Sequence, residues 1–116
     1  MRILIVEDSL KMRELLKVFL GDLAEICECA DGDEVLESYI RWQPEWVVMD
    51  VHMPRVGGIT ATRLLKNAFP ESRVVMLSKH RDFDIQAAAH EAGASGYLLK
   101  DDLNAVRQFL LVRKID

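Results

Sequence analysis

Five short apolar stretches rich in β-branched residues recur along the chain, at about 2–6, 25–30, 46–49, 73–78 and 96–99. Each is followed by a segment whose apolar residues return every three or four positions, at about 10–20, 33–42, 59–68, 82–92 and 102–113. Such spacing gives a helix one apolar face that has to be buried. In the first segment the face comprises Met12, Leu15, Leu16, Phe19 and Leu20; in the last it comprises Leu103, Val106, Phe109 and Leu110. The breaks fall between elements: Gly21, Asp31-Gly32, Pro44, Pro70 and Gly93. Strict strand–helix alternation predicts an α/β fold, a doubly wound five-stranded parallel sheet with right-handed crossovers and helices on both faces. Residues 2–6 and 46–49 are almost uniformly apolar, as central strands buried on both faces must be.

At 116 residues the chain has the size of one domain, so residues 1–116 are read as one unit with one active centre. Its longest apolar runs are strand-sized, which excludes a membrane-spanning helix. The run Ile3-Leu4-Ile5-Val6 is too short for a signal-peptide core and ends at once in Glu7-Asp8, so the cytoplasm is the expected compartment. Cys27 and Cys29 are one residue apart, a spacing that suits one strand face and no zinc site. His52, His80 and His90 show no pattern for shared metal ligation. Trp42 and Trp46 flank Pro44 and read as packing or half-exposed surface. A net charge of −4 argues against direct nucleic-acid binding by this unit.

In a doubly wound sheet the ligand site lies beyond the C-terminal ends of the strands. The first strand ends in Glu7-Asp8, the third in Asp50, the fourth in Ser78 and the fifth in Lys100. Carboxylates gathered at one edge repel each other unless a cation is present or their pKa values rise. Magnesium suits such a set, since it takes few carboxylates and keeps water for a phosphate ligand. Asp50 could then act as a nucleophile, with Ser78 and Lys100 contacting phosphoryl oxygens. Each residue also has a plainer reading. Asp8 or Ser9 could cap the first helix, Ser78 could be a turn residue, and Lys100 a solvated strand terminus. A basic run, Lys79-His80-Arg81, with Arg55 on a neighbouring loop, could form a positive rim for anionic donors or simply a solvated turn.

The stretches ILIVEDS, VVMDVHMPRVGG, VVMLS and AGASGYLLK resemble the conserved blocks of bacterial response-regulator receiver domains, over essentially the whole chain. The resemblance implies a flavodoxin-like (β/α)5 fold with strand order 2-1-3-4-5. It implies that Asp50 is the phosphoacceptor, and that Asp8 and Asp50 bind magnesium by carboxylate and His52 by its backbone carbonyl. Glu7 matches the second acidic position, Ser78 the switch hydroxyl, Tyr97 the aromatic switch and Lys100 the phosphate-pairing lysine. The partner implied is a sensor histidine kinase, with phosphorylation-dependent homodimerisation as a further possibility. GYLLKDD is similar to receivers that precede a LuxR-type DNA-binding output domain; the sequence stops at Asp116, as a free-standing receiver or one cut before its effector. Two positions depart from the family pattern. Asp101 follows the lysine where proline is usual, so a cis peptide bond is not assumed. Lys79 stands where a small residue is usual, which bears on access to the phosphate. Two other readings compete with this one. A haloacid-dehalogenase-type phosphatase would want a second acid where His52 stands; an unphosphorylated scaffold would usually lack an acid, the nucleophile or the lysine.

Overall fold

The computed structural model describes residues 1–114; the last two residues of the 1–116 unit lie outside it. Its elements are β1 (Arg2–Val6), α1 (Leu10–Leu20), β2 (Glu25–Cys29), a 3₁₀ turn (Gly32–Glu34), α2 (Val35–Trp42), β3 (Trp46–Asp50), α3 (Gly58–Ala68), β4 (Val74–Ser78), α4 (Phe83–Ala92), β5 (Gly96–Leu99) and α5 (Leu103–Lys114). All four pairings are parallel and the strand order is β2-β1-β3-β4-β5, as expected. The winding reverses between β1 and β3, which places any strand-end site next to Val6 and Asp50.

Alternate residues of the central strands feed two separate cores. Leu4, Val6, Val47, Met49, Val74 and Met76 pack with Val35, Tyr39, Leu65 and Ala89 from α2, α3 and α4. Ile3, Ile5, Trp46, Val48, Val75 and Leu77 face the other way, against Leu16 and Leu20 of α1 and Leu103, Val106 and Leu110 of α5. Leu15, read from its spacing as part of the buried face of α1, is exposed instead. The buried stripe is centred on Leu16 and Leu20, and Leu15 lies at its flank.

The expected helix at 33–42 splits. Asp31 accepts a bond from the Asp33 amide, which closes a tight 3₁₀ turn, and regular α-helix begins only at Val35. Ser9 caps α1 by accepting from Met12 N–H, and Asp82 caps α4 through Asp84 and Ile85, so those helices start one residue after a polar cap. Trp46 is buried at the base of the sheet, edge-on to Phe109 at 5.4 Å, while Trp42 is half-buried under the Arg2 guanidinium. Cys27 and Cys29 point into the same core from β2, and burial pushes the Cys29 thiol up to about 11. No cis peptide bond occurs among the described residues, Lys100-Asp101 included.

The first residue of α3 sits against the end of β3. A Cβ on Gly58 would collide with the Asp50 carbonyl oxygen and press on Met49, so only glycine lets the helix begin this close to the strand. Gly58→Ala should therefore lower stability by about 1–3 kcal/mol, the range for overpacking, visible as a lower urea midpoint with unchanged slope.

Candidate functional site

Each strand end delivers its side chain because the apolar run has to stop where the sheet does. Glu7 follows β1 and its backbone N–H still bonds the Cys29 carbonyl, which fixes its carboxyl inside the sheet edge at 1% exposure. Glu7 also accepts from Ser9 N–H at 3.0 Å. Ser9 takes the capping role, and Asp8 stands exposed at the rim of the cleft beside Glu7 and Asp50. Asp50 closes β3 and is 4% exposed. Lys100, just past β5, reaches back across the strand ends, its Nζ lying 2.7 Å from Glu7 Oε1 and 2.9 Å from Asp50 Oδ1.

Carboxylate oxygens of Glu7, Asp8 and Asp50 lie within 4.8 Å of one another. Three carboxylates against one ammonium leave two negative charges uncompensated when all are ionised. Burial raises the Glu7 carboxyl to about 7 even though Lys100 and the Ser9 amide pull it down. Burial likewise lifts Asp50 above the ordinary carboxylate range, against the opposing pull of Lys100. At Asp8 burial is the largest single influence and pushes upward, but hydrogen bonding with Glu7, Asp50 and its own backbone, together with the Lys100 charge, outweighs it, so its carboxyl lies below its usual range. Burial disfavours the Lys100 ammonium, but its bonds to Glu7 and Asp50 more than compensate and its pKa is raised. Hard oxygen donors packed this closely, with excess negative charge, fit a small divalent cation.

The cleft above these groups has a volume of about 360 Å3 and is lined by Glu7, Asp8, Ser9, Met12, Asp50, His52, Lys79 and Lys100. His52 and Lys79 thus face the site. Arg55 is not among the residues that line the cleft; its guanidinium pairs with Asp33 at 3.1 Å. Ser78 is buried at the end of β4, donating to the His80 carbonyl at 3.0 Å and accepting from His80 N–H at 3.3 Å. The Tyr97 hydroxyl donates to the same His80 carbonyl at 2.9 Å. Two side chains expected to act together therefore share one acceptor on the β4–α4 loop.

Sequence reasoning missed the residues that brace this site from β2, the one strand that ends in no reactive group. Arg13 of α1 donates to the Glu7 carbonyl at 2.6 Å and pairs with Glu28 of β2 at 3.0 Å. Asp31, 3% exposed, accepts from the Arg55 and Val56 amides at 3.0 and 2.8 Å. The signals were an arginine one turn into α1 and an aspartate before glycine, each of which reads as ordinary surface or turn chemistry.

The excess buried charge has a consequence for stability. A carboxyl whose folded pKa exceeds its unfolded value favours the fold in its protonated form, so the Glu7 contribution fades as pH rises from about 4.5 to about 7. Removing the ammonium steepens that loss. Lys100→Met should cost on the order of 3 kcal/mol at pH 8 and clearly less at pH 5, measured by urea unfolding in chelator.

Residues 3–110 match the family model described as the response regulator receiver domain. The chain is 37% identical over 103 residues to the transcriptional regulatory protein LnrK of Bacillus subtilis, covering 86% of this chain and 47% of the relative. To the chemotaxis protein CheY of Bacillus subtilis it is 33% identical, covering 85% of this chain and 84% of that protein. Its fold superposes on a LuxR-family two-component response regulator from Aurantimonas sp. with a TM-score of 0.87 at 33% identity, over 92% of this chain and 79% of that one. The chain spans about half the length of several of its transcriptional-regulator relatives.

Proposed function

The chain belongs to the response regulator receiver family of two-component signalling, and on that premise we propose that Asp50 is its phosphoacceptor and that a sensor histidine kinase is its donor. The observation that carries the reading is the Lys100 ammonium held between Glu7 and Asp50 beside Asp8 in an open cleft. Lys100 occupies one Asp50 oxygen and neutralises part of its charge, which leaves the other oxygen as the attacking atom. In the reaction that oxygen forms a bond to phosphorus while the bond from phosphorus to the donor nitrogen breaks. The electron pair goes to the leaving imidazole, which takes up a proton.

Asp8 and Asp50 by carboxylate, His52 by its backbone carbonyl and Glu7 from the interior would hold magnesium. When bound it supplies positive charge that screens the nucleophile and the incoming phosphoryl oxygens. Lys100 exchanges its carboxylate contact for a phosphoryl oxygen, and the Ser78 hydroxyl donates to another. Lys79, on the cleft wall, adds a positive charge at the donor entrance.

Turning the Ser78 hydroxyl toward the phosphoryl group takes one of two donors away from the His80 carbonyl and leaves Tyr97 as its partner. The β4–α4 loop then settles differently, and the α4–β5–α5 surface changes with it. The reader of that surface is an output domain beyond this segment, as in the transcriptional-regulator relatives, a separate protein, or a second receiver. No helix among the described residues is long and apolar enough to cross a membrane, which fits a cytoplasmic partner for the kinase.

Incubation with magnesium and a small acyl phosphate should add one phosphoryl group by intact mass, and Asp50→Asn should abolish it. Equal labelling of the variant, or undiminished labelling in excess chelator, would exclude the assignment. Ser78→Ala should still bind beryllofluoride at Asp50 but show much smaller NMR shifts at Tyr97 and α4 than wild type. Identical shifts would remove Ser78 from the coupling.

A further inference from the structure

Four strands send reactive groups into the cleft, and β2 sends none. The turn that follows β2 instead lies against the β3–α3 loop, residues 51–57, which carries His52. Asp31 is 3% exposed and its carboxylate accepts from three backbone amides: Val56 at 2.8 Å, Arg55 at 3.0 Å and its neighbour Asp33 at 3.4 Å. Gly32 N–H returns a bond to the Val56 carbonyl at 3.2 Å, and a Cβ there would collide with that same oxygen. Arg55 and Asp33 pair across the outside at 3.1 Å. At the far end of the loop, Gly58 N–H bonds the Val51 carbonyl at 2.8 Å. The loop is thus closed on itself at 51 and 58 and clasped from β2 at 55 and 56, with His52 between the two fastenings. A buried carboxylate is retained only when its lone pairs are satisfied, and here backbone amides of that loop satisfy them.

We propose that Asp31 is a positioning residue for the metal site: by clasping the Arg55 and Val56 amides it holds the β3–α3 loop so that the His52 carbonyl faces the cleft. This inference rests on the proposal that His52 is a magnesium ligand. Asp31 touches neither the cation nor the phosphoryl group. It acts as partners behind a metal ligand act, by removing the ligand's freedom to lie elsewhere; loss of such partners typically lowers metal affinity 10–100-fold.

Magnesium titrations of the full chain, followed by amide NMR shifts, test this. Asp31→Ala should weaken magnesium binding by about tenfold. Asp31→Asn, which keeps one acceptor oxygen, should fall between it and wild type, and Asp33→Ala, which removes only the exposed pair, should stay within about twofold. Urea unfolding of each variant separates the roles. If Asp31→Ala is less stable yet binds magnesium as tightly as wild type, Asp31 is a structural residue only and the proposal fails. Should Asp31→Ala not fold, Asp31→Asn decides by the same two numbers. A measurement on wild type needs no variant. Because the clasp and the cation favour the same loop conformation, magnesium should slow hydrogen exchange at the Arg55 and Val56 amides, and unchanged exchange overturns the proposal. Failure of the underlying reading looks different: wild type would bind no magnesium, or Asp8→Ala would bind it normally.

Discussion

The Lys100 ammonium lies between two buried carboxyl groups, and the arrangement of the sheet edge follows from that contact. Burying Glu7 and Asp50 costs several kcal/mol per ion unless opposite charge is brought to them. One ammonium cannot balance three carboxylates, so the site is held in a state that another cation relieves. Burial lifts Glu7 to about 7 and raises Asp50, while the bonds to these two carboxyl groups secure Lys100 in its charged form. Under the proposed function, a site poised in this way would gain from a divalent cation and then again from a phosphoryl group that occupied the lysine Asp50 shares, so that the charge deficit would link metal binding to chemistry.

Such a contact survives only in a rigid frame. The frame is the pair of apolar cores on the two faces of the sheet, which fix the ends of β1, β3 and β5 relative to one another. The close start of α3 at Gly58 and the Glu7 N–H bond to the Cys29 carbonyl then set the depth at which Asp50 and Glu7 lie. Division of labour among the strands is clear at this edge. β1, β3, β4 and β5 carry the reactive groups, and β2 supports the loops between them, through Glu28 to Arg13 on one side and Asp31 to Arg55 and Val56 on the other.

The succession of strands and helices and the identity of the edge residues were legible because both are written in hydrophobicity, whereas the order of the strands in the sheet came from the family resemblance. An apolar run that stops abruptly in Glu7-Asp8, Asp50, Ser78 or Lys100 marks a strand end and its chemistry at once. What was not legible depends on backbone partners. Asp31 before Gly32 looks like any turn, since the amides it binds belong to residues 24 and 25 positions away and leave no side-chain signature. The same holds for the His80 carbonyl, where Ser78 and Tyr97 meet. Arg55 looked free to join a positive rim because its spacing said nothing of Asp33. Leu15 kept its helical spacing but not its burial, because it lies at the flank of a stripe whose centre is Leu16 and Leu20.

The shared carbonyl bears on how a signal leaves the site. A rearrangement needs an element with two discrete arrangements, and the single acceptor that serves both donors is the point where the two hydroxyls are coupled. With Ser78 and Tyr97 both bonded to His80, neither hydroxyl pays for an unpartnered state, and the β4–α4 loop is fastened to β4 and β5 together. In the proposed switch, withdrawal of Ser78 toward the cleft would remove one fastening while Tyr97 kept the other, so the loop would pivot about β5 and need not unfold. The residues next to His80 in that loop are Lys79, which faces the cleft, and Arg81, which precedes the Asp82 cap of α4. On the proposed reading, a pivot there would carry charge at the phosphate entrance and the start of α4 in one movement, and the loop, more than either side chain, would be the element through which occupancy of the cleft reached the α4 surface.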